Sequence, residues 1–477
     1  MQLLAAQSAP PPWQVTPMML VPLGIAAVII VALWLGSRVP LRYNLRSVTV
    51  RWRTALLTAM AFTIVIALMT VMLAFVNGMY RLTQSSGQPG NVMVLSQGST
   101  DETFSSLGFS DVTDFELQPG VLRDPETKQP LASRETYIVV NQPVKYPQPG
   151  RPKGRFLQVR GVEDGAMAGR VHGLTLTEGS RWPTQAGVQR IAGKDEAAIE
   201  AVLGEGVAME LGRDREPPKE VLSASWLDPL RTVWRILTRQ SQDRVRPLTV
   251  GEYFSLGGRT FVVVGVMRSS GSTFDSEIWA KRDLVGPMFG KASYTSVVLR
   301  TAGEKEAKQL ADYFRNDYEK ASVQAYVEKE YFANLSATSK QFLLSIVFVT
   351  AVMGLGGVFG VMNTMYAAVA QRTKDIGVLR IVGYTKADVQ ASFLRESLLL
   401  AMLGGVLGCA VGSLAHGLKA ASIIGSGAGG GKFVVLEMLV SGDIIAAGLT
   451  LALLMGLIGG LFPSFTAMRL KPLESLR

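Results

Sequence analysis

The chain is poor in the residues that most often carry chemistry. Its 477 residues include one cysteine, Cys409, and two histidines, His172 and His416. A single cysteine excludes an intrachain disulfide and any metal site built on paired thiolates. The histidines lie far apart in sequence, which argues against an imidazole-based catalytic or metal site. Charged residues make up 18% of the chain and hydrophobic ones 48%, too little charge for a soluble protein of this length and in keeping with a membrane class. HExxH and GxSxG patterns are absent. The nearest approach to a phosphate-binding P-loop is GAGGGK at 427–432, which lacks the first glycine at the required offset and has Phe433 where Ser or Thr should stand. It reads as a flexible linker. The acids of the long polar region are scattered, and sequence alone does not pair them. No catalytic, cofactor-binding or metal-ligating set emerges, so an enzyme acting alone is not expected.

What the chain has instead is long apolar runs. A helix needs about 20 apolar residues to cross a bilayer, and segments 18–36, 54–78, 342–366, 395–417 and 442–465 qualify. Net charge is 48 − 38 = +10, and the excess sits beside these runs, which points to membrane topology rather than nucleic acid. Segment 37–53 carries Arg38, Arg42, Arg46, Arg51 and Arg53 and no acid, so it is assigned to the cytoplasm. The loop 367–394, with Arg372, Lys374, Arg380 and Lys386, and the tail 466–477, with Arg469, Lys471 and Arg477, follow. Alternation then puts 1–17, 79–341 and 418–441 outside. Residues 1–17 contain no Lys or Arg, and the basic cluster follows the first span, the reverse of a signal peptide. That span reads as a retained anchor, after a disordered start containing Pro10, Pro11 and Pro12.

Glycine recurs at helical spacing within the spans. Gly356 and Gly360 form one pair, Gly404, Gly408 and Gly412 a stripe, and Gly456 and Gly460 another pair. Such stripes let helix backbones approach closely, either within one subunit or at a dimer seam. Cys409 and His416 read as packing residues of the 395–417 span.

The outer region is expected to be a mixed α/β domain. Strands are predicted at 91–95, 136–140 and 155–160, and EYFSL-GG-R-TFVVVGV over 252–266 predicts a hairpin turning at Gly257-Gly258. Residues 295–300, 304–319 and 322–328 read as strand, helix, strand, with Ala307, Leu310, Ala311, Phe314 and Tyr318 at helical spacing. That predicts a βαβ unit. Residues 213–247 break the pattern as a Pro-rich, then basic and amphipathic insertion. It either packs on its own domain or docks on lipid headgroups or a partner. From about 328 a helical stalk is expected to run into the third span.

The most informative stretch is 363–399, NTMYAAVAQRTKDIGVLRIVGYTKADVQASFLRESLL. It is a short charged segment held between two apolar runs and too brief to fold alone. So ordered a pattern there predicts presentation to a partner at the membrane surface. The wider segment MNTMYAAVAQRTKDIGVLRIVGYTKADVQASFLRESLLL at 362–400 resembles that of the FtsX-like permeases of MacB-type ABC transporters. Their pattern has a span ending in Met-Asn, a Glu-Arg-Thr-x-Glu-Ile-Gly turn, a Leu-Arg-x-x-Gly step and a Glu-Ser start to the next span. NLR at 44–46 with RWRTALLT at 51–58, and PSFTAMRLKPLESLR at 463–477, are similar to the family's first core span and terminus. QVRGVE at 158–163 and FVVVGVMRSSGSTFDSEIWA at 261–280 are weaker echoes. The resemblance covers most of 41–477. The chain departs from the pattern at Gln371, where an acid is usual, at Asp375, where Glu is usual, in the extra span 18–36 and in the 213–247 insertion.

The resemblance implies an α-helical membrane protein with four core transmembrane helices and a large mixed α/β extracytoplasmic domain like the MacB periplasmic domain, to which the apolar run 18–36 adds one extra N-terminal helix. It implies a multi-pass protein of the cell (inner) membrane that couples ATP hydrolysis by a separate ATP-binding subunit to extrusion or release of a lipid, lipoprotein, peptide or amphiphile outside, by mechanotransmission. ATP and Mg would be bound by that subunit, with no cofactor on this chain. A coupling helix at about 371–382 would seat in it, with contacts drawn from Gln371, Arg372, Asp375, Ile376, Gly377, Leu379, Arg380 and Gly383. The chain would form a homodimer, or a heterodimer with a paralogous permease, and could engage a periplasmic adaptor and membrane lipid, but no nucleic acid. The alternative function is a non-transporting transmembrane regulator that activates a cell-wall hydrolase or sensor outside. The family's dedicated division regulators have a smaller outer domain, which favours transport.

Overall fold

The structure is a computed structural model. It describes residues 39–40, 46, 49–50, 52–146, 153–191, 196–215, 246–268, 271–335, 337–424 and 432–470. The span expected at 18–36, most of the basic segment 37–53, most of the 213–247 insertion, most of GAGGGK and residues 471–477 lie outside the described residues.

The described helices run in chain order as α1 (Trp52–Gln84), α2 (Phe109–Glu116), α3 (Gly165–His172), α4 (Glu205–Gly212), α5 (Arg282–Met288), α6 (Glu304–Asn316), α7 (Glu328–Leu335), α8 (Ala337–Gln371), α9 (Thr373–Ile381), α10 (Lys386–Ser413) and α11 (Gly442–Arg469). The chain divides into two compact units. One gathers the described residues up to Gly78, Gln341–Leu418 and those from Met438 on; the other comprises Met79–Lys340 and Lys419–Glu437.

In the first unit, stretches of α1, α8, α10 and α11 are long and apolar enough to cross a membrane: Trp52–Leu82, Leu343–Gln371, Lys386–Ser413 and Gly442–Arg469. Glycine decides how closely they pack. A Cβ placed on Gly404 would lie 2.5 Å from Phe62 Cβ, one on Gly408 2.7 Å from Ile66 Cβ, and one on Gly412 2.5 Å from Thr70 Cβ. The backbones of α10 and α1 therefore approach more closely than any side chain permits. Gly456 and Gly460 of α11 do the same against Ala401 and Ser397 of α10, at 2.5 and 2.6 Å. Hydroxyls tie the same seams: Ser397 Oγ donates to the Gly456 carbonyl at 2.6 Å, and Thr63 Oγ1 to that of Gly404 at 3.3 Å.

α10 starts and ends earlier than hydropathy alone suggests. Thr385 and Asp388 form a reciprocal capping box that satisfies the first backbone N–H groups, so the helix begins at Lys386. It ends at Ser413, which leaves His416 beyond the helix. His416 Nδ1 accepts from the Val440 N–H at 3.1 Å.

The second unit is built on a sheet whose described strands are β1 (Asn91–Ser96), β2 (Ala132–Pro143), β3 (Gly154–Val162), β4 (Val188–Arg190), β5 (Ala197–Leu203), β6 (Tyr253–Leu256), β7 (Arg259–Val266), β8 (Glu277–Lys281), β9 (Ser296–Arg300) and β10 (Val323–Val327). Their order is β10-β1-β9-β2-β3-β8-β5-β7-β6, with β4 on β5. A separate antiparallel pair joins β11 (Lys419–Ile424) to β12 (Lys432–Glu437). The predicted hairpin is β6–β7, antiparallel, with Leu256 opposite Arg259. Gly257 and Gly258 sit at φ +57° and +78°, the left-handed region that a two-residue turn of this kind requires. On α6, Ala307, Leu310, Ala311 and Phe314 are buried at the expected spacing.

The strand–helix–strand at 295–328 needs one correction. β9 and β10 flank the helix in sequence but are not neighbours: β1 lies between them, antiparallel to both. The unit is a split βαβ, and the strand that fills the gap comes from the start of the domain, which local spacing does not reveal. β5 and β8 were not predicted; both are mostly buried runs without polar alternation.

Candidate functional site

Two constellations stand out, one in each unit. In the first unit the expected coupling segment is α9. Gln371 and Asp375 are exposed, but Arg372 turns inward, with its Nη1 2.9 Å from Glu396 Oε2 of α10. Its guanidinium also lies over the Phe393 ring, at 5.9 Å. Ile376 is 1% exposed and packs with Met365, Val369, Val389 and Phe393. Gly377 is buried, Leu379 and Arg380 are half-buried, and Arg380 Nη1 donates to the Tyr384 carbonyl at 2.8 Å. Gly383, at φ +110°, closes the helix end. Of the eight residues expected at the contact, Arg372, Ile376 and Gly377 thus anchor α9 within the unit. Beside the exposed Lys374 and Asp375 lies an apolar strip: Val378, Ile381 and Val382 are 50%, 60% and 71% exposed. Sequence reasoning missed these three, although their i, i+3, i+4 spacing was visible.

The glycine stripes separate by environment. Gly404, Gly408, Gly412, Gly456 and Gly460 meet neighbours of their own unit, whereas a Cβ on Gly356 or Gly360 would meet nothing within 4 Å. Beside them on α8, Val352, Leu355 and Phe359 are exposed.

In the second unit a charge cluster fills the centre of the sheet. Strand register sets Arg160 of β3 between Tyr137 of β2 and Trp279 of β8. Glu135 and Glu277 stand two residues along on those neighbouring strands. Arg160 makes a two-pronged bond with Glu277, Nε–Oε2 at 2.7 Å and Nη2–Oε1 at 2.8 Å, and Nη1 reaches Glu102 at 2.7 Å and also Glu135. His172, at the end of α3, lies between two carboxylates: Nε2 is 2.6 Å from Glu135 Oε1, and Nδ1 2.6 Å from Glu328 Oε1. The side chains of Arg160, His172, Glu102, Glu135 and Glu277 are fully buried, as is that of Glu328.

Burial opposes each of these charges, and the partners overcome it. Burial pulls the His172 imidazole down, but Glu135 and Glu328 outweigh it and raise its pKa to about 10. Burial pushes the Glu135 carboxyl up, but Arg160 and His172 hold it at about 2. At neutral pH both members of this pair are therefore charged. The cluster has no solvent access and ties β2, β3 and β8 to α3 and α7. The sequence hid it: Gln158 and Arg160 alternate with Leu157 and Val159 along β3, a pattern that suggests a solvent-facing side, yet all four are buried.

Comparison with known proteins bears on both units. Residues 347–472 match the family model described as FtsX-like permease C-terminal, and residues 55–224 match that of the MacB-like periplasmic core domain. An uncharacterized ABC transporter permease of Methanocaldococcus jannaschii, MJ1507, is 26% identical over 49% of this chain and 58% of its own length. The macrolide export ATP-binding/permease protein MacB of Hyphomonas neptunium is 30% identical over 48% of this chain and 35% of its own length. Among solved structures, the periplasmic region of MacB from Actinobacillus actinomycetemcomitans shows 13% identity and a TM-score of 0.30, over 53% of this chain and 95% of that one. The chain thus spans between about a third and three fifths of the length of these two relatives. The chain carries a region matching the MacB-like periplasmic core domain followed by one matching the FtsX-like permease C-terminal block, together with four membrane-length helices.

Proposed function

We propose that the chain is the membrane subunit of an ABC transporter and that α9 docks on a separate ATP-binding subunit. The observation that carries this is the exposed apolar strip Val378, Ile381 and Val382 on a short helix anchored by Arg372 and Ile376. An apolar strip flanked by the charges of Lys374 and Asp375 suits a groove on a soluble protein. The relatives' names, ABC transporter permease and ATP-binding/permease protein, agree with that partner. ATP and Mg belong to it, and hydrolysis there drives the helices of this chain. The outer domain then performs extrusion or release of a lipid, lipoprotein, peptide or other amphiphile at the outer face of the inner membrane, and the motion reaches it along α7 and α8. The open glycine pair Gly356 and Gly360 is the seam at which a second permease, identical or paralogous, packs. A periplasmic adaptor fits the same arrangement.

Site-specific crosslinking tests the docking face. A photoreactive residue at Val378 should capture a co-expressed ATP-binding subunit, and one at the buried Ile376 should not. Equal capture at both, or at neither, would refute the assignment.

A further inference from the structure

Two stretches of the outer unit lie next to membrane-length helices in sequence: residues 85–91, which follow α1, and α7, which precedes α8. They meet at one carboxylate. Glu328, the first residue of α7, is fully buried. Its Oε2 accepts from the Gln88 backbone N–H and from Asn91 Nδ2, both at 2.8 Å, and its Oε1 faces His172 Nδ1 at 2.6 Å. The same two residues reach the end of α3: Asn91 Nδ2 donates to the Val171 carbonyl at 2.9 Å, and Gln88 Nε2 to that of His172 at 3.2 Å. The chains touch directly as well. At Gly87, φ +78°, a Cβ would lie 3.0 Å from the Glu328 backbone and from the Phe332 ring. From His172 the link continues through Glu135 to Arg160 at the middle of the sheet. The rings of Phe274 and Trp279 pack on His172, with centroids at 4.9 and 5.6 Å.

A helix end held only by solvent-exposed hydrogen bonds is the first part of a domain to open. Here the joint is a buried ionic contact, and opening it would strand charge out of water. We propose that Glu328 is a positioning residue for coupling: a clasp that fixes the spacing of the chain's two passages into the outer domain. A displacement of α7 then passes through His172 to the sheet instead of dissipating in the joint. This rests on the transport reading above for its purpose, but the clasp itself is testable on the chain alone.

The test uses the full chain with Cys409→Ser, so that spin labels can be placed at Arg81→Cys and Asn334→Cys, both exposed positions of the outer unit. Pulsed electron–electron resonance then reads their distance distribution. A single narrow distribution should broaden in E328Q and stay narrow in E330Q, whose carboxylate is exposed two residues away. N91S, which removes the Asn91 amide bonds to Glu328 and to the Val171 carbonyl and keeps every charge, should broaden it less, and it covers the case in which E328Q does not fold. Unchanged width in folded E328Q, or in N91S should E328Q not fold, overturns the clasp. In the complex with an ATP-binding subunit, ATP should alter hydrogen exchange in β2 and β3 of the parent chain, and E328Q should lose that response while ATP turnover persists. A response retained in E328Q overturns the coupling role. A parent chain with no ATP response counts against the transport reading, and the width comparison still decides the clasp.

Discussion

Arg372 and Glu396 pair at 2.9 Å with side chains only 9% and 6% exposed, joining the start of α9 to the body of α10. Arg372, which family resemblance places at a partner contact, instead holds α9 in place. The residues that hold α9 in place and its exposed apolar residues fall on different faces of one short segment.

That division predicts opposite outcomes for neighbouring substitutions. Glu396→Ala takes the buried guanidinium's carboxylate away and should cost about 3 kcal/mol of stability, the usual scale for breaking a buried pair from one side. Asp375→Ala, at an exposed position, should stay within about 0.5 kcal/mol. Thermal unfolding of the two variants in the same detergent checks the contrast.

The glycines divide in the same way. Gly404→Leu forces a side chain into Phe62 and the Ala59 carbonyl, where even a Cβ would lie at 2.5 and 2.6 Å. Overpacking of this kind costs about 1–3 kcal/mol, and a backbone neighbour has little room to yield, so folded yield should fall. Gly356→Leu with Gly360→Leu meets open space and should leave the folded yield of the chain unchanged. If the open pair is the dimer seam, mass measurement in detergent will show the double variant shifted from dimer toward monomer.

The charge cluster sets a pH window. His172 is raised from its ordinary 6.5 to about 10, so its stabilisation is complete below about pH 6.5 and is lost as pH climbs through 10. Glu135 is lowered from 4.5 to about 2, so its stabilisation is complete above 4.5 and is lost as pH falls toward 2. Stability from this pair should therefore be greatest between pH 4.5 and 6.5. His172→Gln should remove the alkaline decline attributable to the imidazole. Denaturant midpoints measured from about pH 5 to about pH 10 for both forms check it.

Much of the architecture was legible because it rests on local patterns. The apolar runs announce the membrane-length helices, and Gly257-Gly258 announces its hairpin. Ala307 to Phe314 announce α6. What was not legible is what depends on distant chain. β1 enters between β9 and β10 from the other end of the domain. Arg160 finds Glu102, Glu135 and Glu277 from three other segments, and no spacing rule links them. At the candidate docking segment, sequence could not say which side faces inward. Among the charges of RTKDIGVLRIV that look exposed, Arg372 turns inward, while Val378, Ile381 and Val382 look like core and are not.

The proposed role of α9 is to present its apolar strip to an ATP-binding subunit. The most direct test is co-purification and ATPase rate with a co-expressed ATP-binding subunit, comparing the parent chain with Val378→Glu plus Ile381→Glu. Both positions are exposed, so the variant should fold, yet it should lose the subunit and its stimulated ATPase while the parent keeps both. Equal binding by a folded variant would rule α9 out as the docking element, because the subunit would then dock elsewhere.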